Sequence, residues 1–309
     1  MQTQTQTVSK HFGVAEVVRD YLLVCRVSKR VKTVERVDYC LRKLLEWCDA
    51  RNLHTLHDLT RRELLLWSLQ LQQQYPSKQT VWTFTSTVKA FLRWCEEEGL
   101  LSASPLKRGD FPAKPKPAPD PLTVHELKRL LKAVDGKTWM HKRDTALILV
   151  LLHSGCRRGE LVQMKVGDVE RGFSLVTQKG GRQHTIHLSS DCVKAIQSYL
   201  HALRVQRRIQ LAPEDALWIG RYGEPMTGNA VRLLFDRLSR TTGLHLYAHR
   251  MRATSATLRL ALGASTETVR LALGHADIRS IQSYVRLAQH DASRLLEQTS
   301  PVNLLKGRR

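Results

Sequence analysis

The chain has 309 residues, about twice the ~150 that serve as a prior for one domain, and sets 49 Lys and Arg against 28 Asp and Glu for a formal charge of +21. A hydrophobic content of 42% excludes global disorder, and the longest apolar run, residues 146–152, is far short of the roughly 18 residues of a membrane helix. The opening MQTQTQT lacks the basic and apolar regions of a secretory signal, so a soluble, cytoplasmic protein with a polyanionic partner such as DNA is expected.

The first segments read as amphipathic helices. VAEVVRDYLLVCRVSK (14–29), VKTVERVDYCLRKLLEWCDAR (31–51), TRRELLLWSLQLQQ (60–73) and SKQTVWTFTSTVKAFLRWCEEEG (77–99) repeat apolar residues at three- and four-residue spacing. Thr60 with Glu63 has the pattern of a capping box for the third helix. Four such helices within residues 8–103 predict a small bundle with Trp47, Trp67, Trp82, Phe84, Phe91 and Trp94 in its core. The six cysteines (Cys25, Cys40, Cys48, Cys95, Cys156 and Cys192) form no C-x-x-C pair and stand at no zinc spacing from His. They are read as reduced core residues, and no metal site is expected.

Residues 104–121, SPLKRGDFPAKPKPAPDP, hold six of the ten prolines and read as a semi-stiff spacer. Lys107, Arg108, Lys114 and Lys116 make it basic, which suits a strap along a phosphate backbone. The charge is uneven: residues 1–103 carry a net +4 and residues 121–309 a net +15. Thr123 and Glu126 repeat the capping-box pattern ahead of VHELKRLLKAV, and residues 142–153 continue as helix. GFSLVTQK and RQHTIHL then alternate about Gly180-Gly181, the signal of a hairpin with a two-residue turn. From Ser190 the pattern is helical again, broken at Pro213, 220–225, Gly243, Gly263 and Gly274. The chain is therefore expected to be mostly α with a small antiparallel β-sheet.

Within this second half a few residues could do chemistry. In LLHSGCRRGELVQMKVGDV, Glu160 follows Arg157 by three residues, where a carboxylate can hold a guanidinium and leave donors free for a phosphate. Lys179 stands at the hairpin tip, with Arg182 just beyond it. In AHRMRATSATL, His249 and Arg252 share a helix face and converge as an anion site. Gly274-His275 reads as a helix stop with a polar tip, and Tyr284 follows nine residues later. Taken singly, each has an ordinary structural reading: a helical ion pair, a solvated lysine, a packed tyrosine.

As an ordered set, Arg157-x-x-Glu160, Lys179, His249-x-x-Arg252, Gly274-His275 and Tyr284 resemble the tyrosine recombinase (phage integrase) family over roughly residues 122–290. The words SGCRRGEL, HRMRATSATL and LGHADIRSIQSYV carry the likeness, at a chain length similar to the simpler Xer-type members. The resemblance implies a four-helix, SAM-like bundle binding the core DNA site (8–103), a linker (104–121) and a catalytic domain with a C-terminal tail (122–309). It implies roles as well. Arg157, Arg252 and His275 would stabilise charge on the phosphate, with Glu160 supporting Arg157. His249 would take the tyrosine proton or orient the phosphate, Lys179 would protonate the departing 5′ oxygen, and Tyr284 would form a 3′-phosphotyrosyl link.

No cofactor and no metal are implied. The implied partners are double-stranded DNA with specific recombination sites, three further copies of the chain in a homotetramer on two paired sites, and optionally an accessory protein. Lys107, Arg108, Lys114, Lys116 and Arg182 are the expected additional DNA contacts, and the tail after Tyr284 is expected to dock on a neighbouring protomer. The reaction would serve integration, excision or dimer resolution. Ala253 stands where the family often has His, and the hairpin reads QKGG rather than the more usual G-K-G; neither departure removes a catalytic side chain. Two rival readings are type IB topoisomerase-like DNA relaxation and a catalytically silent DNA-binding regulator. The small bundle and the short segment after Tyr284 favour the recombinase over the first, and the complete residue set favours it over the second.

Overall fold

The computed structural model describes residues 12–115, 120–178, 180–274, 282, 284 and 285. The chain divides into two compact units, Met1–Pro117 and Ala118–Arg309.

The first unit is built from α1 (Val14–Ser28), α2 (Val31–Ala50), α3 (Arg61–Gln74) and α4 (Lys78–Glu97). The apolar stripe of each helix turns inward, so that Val17, Tyr21, Leu41, Leu44, Trp67, Phe84 and Phe91 form one core, with Trp47 and Trp94 packed against it. Trp82 departs from expectation. It stands outside that core, half-buried, with the Lys114 ammonium 5.3 Å from its ring centroid. Half of the expected capping box at α3 forms: the Thr60 hydroxyl accepts from the Glu63 amide, while the Glu63 carboxylate accepts instead from the Arg51 guanidinium at 2.6 and 3.0 Å. A charged pair within reach outcompeted the return bond to the cap.

The proline-rich stretch does not begin as a free spacer. Leu106 and Phe111 pack on the first core, and Asp110 accepts from Arg61 at 2.7 and 2.8 Å and from the Lys107 amide at 2.7 Å. Its far end belongs to the second unit, where the Leu122 amide donates to the Thr254 hydroxyl at 2.8 Å.

The second unit begins with α5 (Val124–Val134), whose Thr123–Glu126 capping box is complete, and α6 (Trp139–Ser154). Ala146, Leu147, Ile148, Val150 and Leu151 are fully buried, which explains why the longest apolar run lies in α6: it is the central helix of the unit. Short α7 (Arg158–Leu161) and α8 (Asp168–Arg171) lead into the hairpin β1 (Phe173–Thr177) and β2 (Gln183–His187). The strands pair antiparallel from Phe173↔His187 to Thr177↔Gln183. The Gln178 amide donates to the Arg182 carbonyl at 2.8 Å, extending the ladder beyond the Thr177↔Gln183 pair. The unit continues with α9 (Ser190–Arg207), packed along α6, then α10 (Gly228–Thr242), α11 (Ala248–Ala261) and α12 (Thr266–Leu273). Mostly helical with one two-stranded antiparallel sheet, the fold is as the periodicity predicts.

All six cysteines are free and buried. Burial pushes the thiols of Cys48, Cys95 and Cys156 up to about 12, which keeps them protonated and inert.

Candidate active site

The site starts where α6 ends. Gly155 closes that helix in the left-handed region (φ 63°), and a Cβ there would sit 2.4 Å from Leu273 Cδ2, so this position requires glycine. Arg157, two residues on, caps α7. Its amide donates to Glu160 Oε2 at 2.9 Å and its guanidinium to Oε1 at 2.7 Å. Glu160 is buried, whereas the Arg157 side chain is 47% exposed. One edge of the guanidinium is therefore fixed and the other faces outward, as the three-residue spacing predicts.

Arg252, on α11, is 1% exposed. It donates through Nη1 to the Gly155 carbonyl and through Nη2 to the Leu273 carbonyl, both at 2.7 Å, tying the end of α6 to the end of α12. Among the described residues no carboxylate pairs directly with it. Burial, followed by the positive charge of Arg157, lowers its pKa to about 10, so it remains a cation at neutral pH. A charge so deep without a direct counter-ion is costly, and a bound anion would relieve that cost.

His249 lies one turn before Arg252. Partial burial, then the charges of Arg252 and Arg157, hold its imidazole below the ordinary value, so its ring is neutral and able to accept a proton at physiological pH. Cys156, Arg157, Arg158, Tyr247, Ala248, His249 and Arg252 surround a cavity of about 240 Å³. Tyr284 is buried among Ala253, Ala256, Leu260, Val269 and Leu273, on α11 and α12. Burial raises its pKa, while Arg252 and Arg157 act in the opposite sense on the phenol. The hydroxyl is thus protonated at rest, and the two guanidiniums favour its loss of that proton.

The structure accordingly brings together Arg157, Glu160, His249, Arg252 and Tyr284. Lys179, His275, Lys116 and the tail expected to dock on a neighbour lie outside the described residues. Arg182 donates to the Gly274 carbonyl at 2.6 Å. Lys107, Arg108 and Lys114 belong to the first unit, with Arg108 lining a cavity beside Trp82 and Phe111. Arg250 was missed from sequence. Its guanidinium donates to the Asp120 backbone carbonyl at 3.0 Å and to the His245 carbonyl at 2.9 Å, which fixes the roll of α11. The signal was its place between His249 and Arg252, off their shared face. Its partner Asp120 was hidden in what read as spacer. Among the described residues no cluster of His, Cys, Asp or Glu could hold a metal ion, and no helix is long and apolar enough to cross a membrane.

Three histidines share a depressed pKa, each with burial as the largest cause: His153 (then Arg259 and His187), His184 and His249. The folded state therefore resists protonation that the unfolded chain accepts below about pH 6.5. Stability is expected to fall as pH drops from about 7.5 to 5.5, above the range in which the carboxylates titrate. Thermal melts across that interval check this; a melting temperature that holds level or rises would contradict it.

Residues 121–291 match the model of the phage integrase family. The chain belongs to that family. It is thereby a tyrosine recombinase, an enzyme of site-specific recombination. Among curated relatives, the tyrosine recombinase XerD of Listeria monocytogenes serotype 4b is 23% identical over 293 residues, covering 93% of this chain and 99% of its own. The tyrosine recombinase XerC of Roseiflexus sp. is 28% identical over 250 residues, 78% of this chain and 80% of its own. Among solved structures, the Tn1549 transposon integrase in complex with transposon right end DNA aligns with a TM-score of 0.71 at 17% identity, over 94% of this chain and 100% of that one. A lambda integrase dimer bound to a COC′ core site also gives 0.71, at 19% identity over 90% and 78%. These likenesses fix the recombinase fold. In this member of the family, Ala253 is buried in the cluster that holds Tyr284, so a small side chain fills the position after the second arginine.

Proposed function

We propose that this recombinase cuts and rejoins double-stranded DNA at specific sites through a 3′-phosphotyrosyl intermediate. The observation that carries the reading is the convergence of Arg157, His249 and Arg252 on one cavity, with Tyr284 within electrostatic reach of the two guanidiniums.

A phenol with a raised pKa is a poor nucleophile until its proton has somewhere to go. The neutral imidazole of His249 accepts that proton as Tyr284 Oη forms its bond to the scissile phosphorus. Negative charge grows on the non-bridging oxygens, where Arg157, Arg252 and His275 act as fixed donors. The bond from phosphorus to the 5′ oxygen breaks, and Lys179 supplies the proton to that oxygen. The phosphodiester energy is retained in the tyrosyl link, so a 5′-hydroxyl from another strand reverses the steps without ATP. Exchange between two duplexes requires four cuts. A tetramer on two paired sites is therefore the assembly, with Lys107, Arg108, Lys114 and Lys116 as further phosphate contacts and the tail linking protomers. DNA-bound relatives such as the Tn1549 and lambda integrases support the choice of partner.

The test needs no known site. A pool of nicked duplexes with randomised sequence, incubated with the protein and partitioned under denaturing conditions, should yield covalent adducts whose DNA reports the cleavage site. Because side-chain cations supply the charge at the phosphate, adduct formation should persist in excess EDTA. Loss of the adduct in EDTA with recovery in magnesium would assign the phosphoryl transfer to a metal-dependent mechanism. Relaxation of supercoiled plasmid without exchange between paired sites would assign the topoisomerase reaction.

A further inference from the structure

The hairpin and the end of α12 meet at one glycine. Gly274 caps α12 in the left-handed region (φ 63°), and a Cβ there would lie 2.3 Å from Gln178 Nε2 and 2.8 Å from His184 Nδ1. The same residue's carbonyl accepts from Arg182 Nη2 at 2.6 Å. Three hairpin side chains thus close on Gly274, which only glycine permits. Arg252 grips the preceding carbonyl, that of Leu273, at 2.7 Å. Two consecutive carbonyls are held by two guanidiniums, one belonging to the active site and the other to the hairpin.

The end of β1 next to the loop is also held by Gln163, whose side chain accepts from the Thr177 amide at 2.9 Å and donates to the Thr177 carbonyl at 3.1 Å. Beside the Gly274 contact lies a cavity of about 570 Å³, walled in part by Arg182, His184 and Gly274 themselves. The bond from Arg182 therefore runs along the wall of this cavity. Gln178 and Arg182 close the loop that contains Lys179, and Gly274 immediately precedes His275 in the chain.

We propose that Arg182, with His184 packed beside it, is a positioning residue that ties the hairpin to the end of α12, so that the segments entering positions 179 and 275 are set as one unit against Arg252. The inference rests on the recombinase mechanism above. It assigns Arg182 a task other than the DNA contact expected from sequence. A guanidinium spent on a protein carbonyl acts on the rate of chemistry, whereas one spent on a phosphate acts on affinity.

Arg182→Ala distinguishes the two. At saturating nicked substrate, its cleavage rate is expected to fall roughly tenfold to a hundredfold, the scale of a small displacement of reacting groups, with DNA affinity within about twofold of wild type. Added guanidinium ion should restore part of the rate by refilling the donor position. Amide exchange measured by mass spectrometry should rise in the hairpin and at residues 271–274, and in no other segment of the second unit. Weakened binding with an unchanged rate at saturation would make Arg182 a phosphate contact and overturn the proposal, as would unchanged exchange at 271–274. If exchange rises throughout the variant, Gly274→Ala supplies the second arm: the strained cap should impair the rate in the same way, and normal cleavage by it would equally overturn the proposal. Should the wild-type protein form no adduct at all, the recombinase mechanism fails, while the exchange comparison still reads the tie.

Discussion

Tyr284→Phe is expected to abolish the covalent protein–DNA adduct while leaving the fold and DNA binding in place. The ring of Tyr284 packs on Ala253, Ala256, Leu260, Val269 and Leu273, contacts that phenylalanine reproduces. Its hydroxyl makes no hydrogen bond to a described residue, so its removal should change stability by no more than about 1 kcal/mol. The consequence for chemistry is of another order. Without Oη no bond to phosphorus can form, and the burial and guanidinium fields acting on the phenol have nothing to act upon. Single-turnover reactions on nicked duplex, resolved on denaturing gels, should show the adduct with wild type and none with the variant, at equal occupancy of the DNA. An adduct of wild-type yield from the Phe variant would remove Tyr284 from the role of nucleophile. Loss of DNA binding together with the adduct would instead give its ring a structural task.

Local sequence was sufficient for what local physics decides. The four N-terminal helices, the α5 capping box, the hairpin and the Arg157–Glu160 pair all depend on residues within a few positions of one another, and each lies where periodicity or spacing predicts it. What escaped depends on long-range closure. Nothing near Arg252 in the chain announces that its guanidinium spans Gly155 and Leu273, 97 and 21 residues away. The clamp on Gly274 was equally hidden, because Arg182 acts across 92 residues. Glu63 was drawn from its expected cap by Arg51, twelve residues back, and the proline-rich stretch was drawn into both units by Asp110 and Asp120. In each case a charged side chain found a stronger partner than its sequence neighbourhood offered.

Arg252 is the residue at which fold and chemistry are expected to fail together. In Arg252→Ala, the Gly155 and Leu273 carbonyls lose their buried donor, at a cost of about 1–3 kcal/mol each, and the emptied space adds a cavity term. For a unit of this size, that corresponds to a fall in melting temperature on the order of 10 °C. Activity should fall further still, since losing one preorganised donor to a developing oxyanion costs about 10²–10³ in rate. Arg252→Lys separates the two contributions. It keeps the positive charge, but a single ammonium on a flexible stem does not reproduce a planar fork that bonds two carbonyls and still has N–H donors left for a phosphate. The lysine variant should therefore melt between Ala and wild type, yet cleave DNA nearly as slowly as Ala at a temperature where both are folded. If lysine restored wild-type cleavage, charge alone would be sufficient at this position, and the two carbonyl bonds would serve the fold without serving the reaction.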